Sequence, residues 1–462
     1  MHLCSSKHIK QLQTLEATYI MNYFSTNGKT ELTSLEQAVI KGLAPDKGLF
    51  MPESIKKLPQ EFFDNIDKMS LQEISYQVAT AFFGDDIPAD ELKKIVYETM
   101  SFEIPLVKVK ENIYSLELFH GPTLAFKDVG ARFMARMLGY FVKSSNKQVN
   151  VLVATSGDTG SAVANGFLGV DNINVYVLYP KGKVSEIQEK QFTTLGNNIT
   201  AIEVDGCFDD CQALVKQAFI DKELNERMFL TSANSINLAR FLPQSFYYFW
   251  AYAQLKKIGK EKEVVISVPS GNFGNLTAGL FAKKMGLPVK RFIAANNKND
   301  IVYKYLQTGK YNPRASVSTI ANAMDVGDPS NFARIMQLYS SNHQEVCRDI
   351  CGATYNDQQI AEGVKNCLQN HNYQLDPHGA CGYLALQELM QEEESGIFLE
   401  TAHPAKFKDT IENILQKEIE IPQALQEFMK RNKQSIPCNK SFSSFKEFLL
   451  NEVQNENDKY YN

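Results

Sequence analysis

Val151-Leu152-Val153-Ala154-Thr155-Ser156-Gly157-Asp158-Thr159-Gly160 is an apolar run that breaks into a glycine-rich turn and then into a helical pattern. A short apolar run bounded by turn residues reads as a buried strand. Working outward, strands near 149–155, 173–179 and 199–204 alternate with helices near 159–168, 185–195 and 208–220. Such alternation specifies a parallel sheet with crossover helices, so the chain reads as an α/β protein. Ligands bind off the carboxyl ends of strands in such sheets, which is where Ser156, Gly157, Asp158 and Thr159 fall.

A second stretch has the same build. Val264-Val265-Ile266-Ser267-Val268-Pro269-Ser270-Gly271-Asn272-Phe273-Gly274-Asn275 runs from strand to turn to helix, and its two glycines let backbone approach an anion closely. Free N–H groups and the helix dipole converge at such a turn, although an ordinary strand-to-helix connection has the same pattern. The third stretch is 117–130, Glu-Leu-Phe-His-Gly-Pro-Thr-Leu-Ala-Phe-Lys-Asp-Val-Gly. Val129, Phe133, Met134, Met137, Leu138 and Phe141 follow at helical spacing and put Lys127 at a helix start. A lysine after an apolar triplet is ordinarily a helix-face charge; to react near neutral pH it must lose its proton, which burial promotes. His120, beside a Gly-Pro turn, reads first as a structural hydrogen-bonder.

At 462 residues two or three domains are expected. A hydrophobic content of 44% with 22% charged residues is that of a soluble globular protein, and a formal net charge of −5 gives no basis for a nucleic-acid partner. No apolar segment approaches the roughly 20 residues that span a bilayer, so no membrane partner is expected. Residues 1–20 lack the zones of a signal peptide and read as an extension outside the fold; a cytoplasmic address follows. Cys207 and Cys211, and Cys347 and Cys351 with His343 nearby, depart from zinc spacings, and cysteines four apart also face a helix core, so no metal is expected.

Taken together, HGPTLAFKD (120–128), ATSGDTGSA (154–162), NSINLARFLPQ (234–244), PSGNFGN (269–275) and ETAHPAKF (400–407) resemble the fold-type II pyridoxal-phosphate enzymes, and among them the bacterial and fungal threonine synthases. The resemblance runs from Met21 past Phe407, and five motifs in register make it specific. It implies a tryptophan synthase β-like fold: an N-terminal cap region over 21–105, a large cofactor-binding domain from 106–148 and 231–462, and a small α/β domain over 149–230. Gly42–Pro52 resembles the family's entry loop, while Leu49, Phe50 and Met51 also suit a core plug. Phe442, Phe445 and Phe448 mark a terminal docking helix.

The resemblance also implies the chemistry. Lys127 is the cofactor-linked residue and the base for the α proton. Ser270, Gly271, Asn272, Phe273, Gly274 and Asn275 hold the pyridoxal 5'-phosphate phosphate, and Thr401 partners the pyridine nitrogen. Ser156, Gly157, Asp158 and Thr159 hold the substrate carboxylate. Asp158 departs from the asparagine of many relatives and would repel that carboxylate, so it is expected to point elsewhere. Asn237 and Arg240 are the candidates for the substrate phosphate, since a guanidinium fork matches it bidentately, although Asn237 also suits a helix cap. Lys406 and Lys181 are weaker candidates for the same cluster. The implied substrate is O-phospho-L-homoserine, converted with water to threonine and phosphate by a monomer or homodimer. A phospholyase releasing 2-oxobutyrate, a serine/threonine dehydratase and a non-catalytic phosphate-binding module are the alternatives.

Overall fold

The computed structural model describes residues 21–143 and 148–461. The extension expected over 1–20 lies outside the described residues. The strands are β1 (Tyr23–Ser25), β2 (Phe50–Pro52), β3 (Leu106–Lys110), β4 (Ile113–Glu117), β5 (Val149–Ala154), β6 (Ile173–Pro180), β7 (Ile199–Asp205), β8 (Phe229–Ser232), β9 (Val264–Pro269), β10 (Arg291–Asn296), β11 (Ile350–Thr354), β12 (Ser395–Glu400) and β13 (Ile436–Asn439). They form a small β1–β2 ribbon, a six-stranded sheet ordered β11-β10-β9-β12-β4-β3, and a five-stranded sheet ordered β13-β7-β6-β5-β8. The five-stranded sheet is parallel throughout, and the six-stranded sheet is parallel except where β3 meets β4.

Local chemistry sets these elements. β5, β9 and β12 are buried along their whole length, as strands covered on both faces must be, which explains their unbroken apolar runs. Ser34, Ser70 and Asn356 cap helices through their side chains; Ser70 with Glu73 completes a reciprocal capping box. Leu49, Phe50 and Met51 are buried, so the 42–52 loop does plug the core. No helix among the described residues is long and apolar enough to cross a membrane.

One expected boundary is corrected. The whole of 231–462 was expected with the larger unit, yet β13 pairs with β7 and so belongs to the five-stranded sheet. The Phe442–Tyr461 helix follows it there, with Phe445 fully buried and Phe442 and Phe448 packed on the Leu152, Leu178 and Leu214 core. The physical reason is the free edge of β7: its unpaired backbone groups take up the last strand the chain offers.

A buried arginine clamps the N-terminal segment to the rest. Arg334 is wholly buried without a carboxylate partner; it donates instead to the carbonyls of Phe50, Ser235 and Ile236 and to Asn331 Oδ1, and its guanidinium stacks 4.0 Å from the Phe241 ring. Burial pulls its pKa down to about 9.

Candidate active site

The loops that follow β4, β9 and β12 leave the same edge of the six-stranded sheet, because these strands are parallel neighbours. The lysine loop after β4 is tied to the end of β12: Phe126 N–H donates to Thr401 O at 2.8 Å, and Ala125 pairs with Ala402. Lys127 then opens the Lys127–Lys143 helix. The turn before it is tight. Leu124 sits at φ 56°, and Thr123 gives its N–H and hydroxyl to Asp128 at 2.9 and 2.6 Å. A side chain at Gly121 would meet Asp128 Oδ2 at 2.5 Å, so glycine is required there. The outcome is a reactive-type residue on a turn braced from both ends.

Lys127 retains some accessibility but is densely surrounded by protein. Burial lowers its pKa; Asp158 opposes that shift, and Arg240 and Lys406 add to it. Asp158 is buried, and Lys406 Nζ lies 2.8 Å from its Oδ1. Gln188 Nε2 donates to the same oxygen at 2.8 Å. Burial alone would raise the Asp158 pKa; the charges of Lys406 and Lys127 instead hold it at about 2. The partner of the Asp158 carboxylate is thus Lys406, a residue the sequence ranked low. Lys406 is fully buried and also donates to Thr123 O at 2.6 Å. Lys181 is exposed.

Two turns, after β9 and after β5, carry clusters of backbone donors. Among the described residues no acceptor takes the N–H groups of Gly271, Asn272, Phe273, Gly274 or Asn275. Phe273 adopts the left-handed conformation at φ 61° to begin the helix Gly274–Lys284. A Cβ at Gly271 would lie 2.8 Å from both Ala323 O and Met324 Cα, so only glycine admits that turn. The loop's side chains are its scaffold: Asn272 bridges Ser235 Oγ and Ser330 N–H, Asn275 donates to Pro269 O, and Ser270 donates to Val268 O. The second cluster comprises the N–H groups of Ser156, Asp158 and Thr159, likewise without acceptors among the described residues, beside the free hydroxyls of Ser156 and Thr159. Gly157 makes this turn at φ 148°, and a Cβ there would lie 2.6 Å from Gln188 Oε1.

Thr401 is 6% exposed at the end of β12, and its hydroxyl has no partner among the described residues. Arg240 is buried, and burial lowers its pKa to about 10 against the opposing charge of Asp128. Its Nη1 donates to Ala233 O, while its Nε–H is buried with no acceptor. Asn237 caps the Leu238–Phe241 helix through Oδ1 and donates Nδ2 to Val39 O at 2.8 Å, so both ends of its amide carry a partner. His120 pairs with Glu117 Oε2 at 2.8 Å. His343 and Cys347 stand 3.2 Å apart, but no group of three metal-ligating side chains occurs among the described residues.

Comparison with known proteins fits this geometry. A sequence profile for pyridoxal-phosphate-dependent enzymes matches residues 99–399. Profiles for the threonine synthase N terminus and C-terminal region match 22–100 and 379–449. Threonine synthase of Haemophilus influenzae is 46% identical over 93% of this chain and 100% of its own length. The crystal structure of Escherichia coli threonine synthase superposes with a TM-score of 0.87 at 43% identity, covering 94% of this chain and 100% of that one. The PLP-bound threonine synthase of Brucella melitensis superposes at 0.88 with 34% identity, covering 93% and 98%. The residues here suit that cofactor: a desolvated amine, a cradle of N–H groups without acceptors among the described residues on a turn that only glycine at 271 admits, and an unpartnered hydroxyl.

Proposed function

Because this chain belongs to the threonine synthases, a family of pyridoxal-phosphate-dependent lyases, we propose that it takes O-phospho-L-homoserine and water to L-threonine and inorganic phosphate. The observation that carries this reading is the match between anions and seats. A phosphorylated amino acid and a phosphorylated cofactor bring three anionic groups, and the chain offers two turns of free N–H groups and the buried cation Arg240, while Lys406 is taken up by Asp158.

We assign Gly271–Asn275 to the cofactor phosphate and Ser156–Thr159 to the substrate carboxylate, each through backbone N–H groups at a helix start. Arg240, with one buried N–H lacking an acceptor, is assigned to the substrate phosphate. Thr401 offers the pyridine nitrogen a neutral hydroxyl. When bound, pyridoxal phosphate supplies the electron sink for the charge left as protons depart from the substrate carbons. Lys127 Nζ anchors the cofactor at rest and takes the α proton, a task its lowered pKa favours. Asp158 stays ionised against Lys406, which keeps Gln188 and the carboxylate turn in place. With protons gone from the α and β carbons, phosphate leaving the γ carbon meets positive charge at Arg240. The γ carbon is then protonated to a methyl group, water supplies the hydroxyl at the β carbon, and the α carbon regains its proton.

We further place the protein in the cytoplasm as a monomer or homodimer. We read it as a cap region over 21–105 with a larger and a smaller α/β domain, the smaller completed by the C-terminal segment. The test is incubation of the purified enzyme with pyridoxal phosphate and O-phospho-L-homoserine, measuring phosphate and threonine together. Equal amounts are expected; phosphate with 2-oxobutyrate in place of threonine would make it a phospholyase. Borohydride treatment should fix the pyridoxyl group to the peptide containing Lys127 and to no other.

A further inference from the structure

At the end of β12 lies a set of polar groups that the proposed reaction does not use. Glu400, the last residue of β12, and Asp376, the cap of the Pro377–Leu389 helix, are both 0% exposed. Asp376 N–H donates to Glu400 Oε1 at 2.6 Å, while Glu400 Oε2 and Asp376 Oδ2 are buried and take no hydrogen from any described donor. Two adjacent buried carboxylates, each with an idle oxygen, are costly as two anions and satisfied as one acid and one anion sharing a proton. An ion has no room there: a Cβ at Gly379 would fall 1.6 Å from Glu400 Oε2, so helix backbone closes over that oxygen.

Among the described residues, the groups that interact electrostatically with Glu400 include Asp376, Glu117 from β4, Tyr373 and Cys367. These are two carboxyls, a phenol and a thiol, none of them cationic. Burial and then Asp376 push the Glu400 pKa well up, in agreement with the idle oxygens. Around Asp376 stand His378, His403 and Cys381.

From Asp376 the connection continues. Its Oδ1 accepts the His378 backbone N–H at 2.7 Å and the His378 ring at Nδ1. His378 Nε2 in turn accepts the Ala323 N–H at 3.1 Å, so the ring proton belongs on Nδ1, facing Asp376. Ala323 and Met324 form the turn that presses on Gly271. Glu400 is covalently next to Thr401. The chain of contacts therefore joins the hydroxyl at the end of β12 to the N–H cradle after β9.

We infer that Glu400, Asp376 and His378 are positioning residues: a neutral Glu400 shares its proton with Asp376, which orients His378, which seats the Ala323 turn against the Gly271 cradle. The claim about the proton rests on the burial of both carboxyls and their two idle oxygens; the effect on cofactor binding rests on the assignment of Gly271–Asn275 to the cofactor phosphate.

Thermal unfolding of the holoenzyme between pH 5 and pH 9 tests the first part. A carboxyl held neutral in the folded state binds a proton that the unfolded chain has released, so wild-type stability falls as pH rises above the ordinary carboxyl range. Glu400→Gln, which keeps an acceptor for Asp376 N–H and a donor for Asp376 Oδ2, removes that dependence. Its midpoint relative to wild type should therefore rise by several degrees from pH 5 to pH 9. A difference that stays constant or falls with pH would mean that Glu400 is ionised and would overturn the shared proton.

The second part is read from the pyridoxal phosphate dissociation constant, followed by absorbance on dilution. His378→Phe is expected to weaken binding about tenfold and His378→Gln, whose carbonyl can accept from Ala323, to recover most of it. Unchanged affinity in His378→Phe, or no recovery in His378→Gln, would overturn the seating role. The pH result is read on folding and stands whichever product the enzyme makes, so its failure is separable from failure of the proposed reaction.

Discussion

Lys406 neutralises Asp158 inside the protein: the two charges meet at 2.8 Å with the lysine wholly buried, bridging the segment after β12 to the turn after β5. Removing one member of a buried pair leaves an uncompensated charge, which costs about 3–5 kcal/mol. Lys406→Met should lower stability by that amount in urea unfolding, and adding Asp158→Asn should restore much of it. Equal losses in the single and double variants would show that packing, not charge, is at stake.

His403 makes the acid limb of stability predictable. Burial, and then the neighbouring His120, lowers its pKa from 6.5 to about 4, and its Nδ1 accepts the Ala405 N–H. The folded protein thus holds this ring neutral where the unfolded chain protonates it. Stability is fully present above pH 6.5 and is lost as pH falls toward 4, by up to about 3 kcal/mol. His403→Asn keeps an acceptor for the cap and should flatten the profile in that window; an unaltered slope would assign the acid loss to other groups.

Gly157→Ala meets two obstacles at once, a φ of 148° and the Gln188 amide that Asp158 and Ser185 hold in place. A strain of about 1–2 kcal/mol at this turn would raise KM for the amino-acid substrate about tenfold. Pyridoxal phosphate affinity should be unchanged, since the other cradle is untouched.

Arg240→Lys keeps the charge but loses the fork. Charge-assisted hydrogen bonds contribute about 1.5–3 kcal/mol, so kcat/KM for O-phospho-L-homoserine should fall about 10- to 100-fold. A variant as active as wild type would place the substrate phosphate elsewhere.

Much of this was legible in local sequence. The strands expected at 149–155, 173–179 and 199–204 fall at 149–154, 173–180 and 199–205, because fully buried parallel strands advertise themselves as apolar runs ending in glycine turns. β13 was not legible. Ile436-Pro437-Cys438-Asn439 has no alternation and carries a proline that only an edge position tolerates, so its pairing is decided by the free side of β7. Lys406 and Gln188 were hidden for a related reason: their partner is remote in sequence. The one available signal was a lysine between Ala405 and Phe407, flanked by residues suited to burial. Glu400 closing the apolar run Gly396–Leu399 carried the same kind of signal.

The position of β13 bears on how the protein is made. The other strands of its sheet are complete by Ser232, and the strand that covers their exposed side begins roughly 200 residues later. At ordinary ribosomal speeds that interval is about 10–40 s, during which the nascent chain presents an open row of backbone donors and acceptors to its surroundings. A holding chaperone with affinity for exposed strands would act in that window, and C-terminal truncation would make the vulnerability permanent.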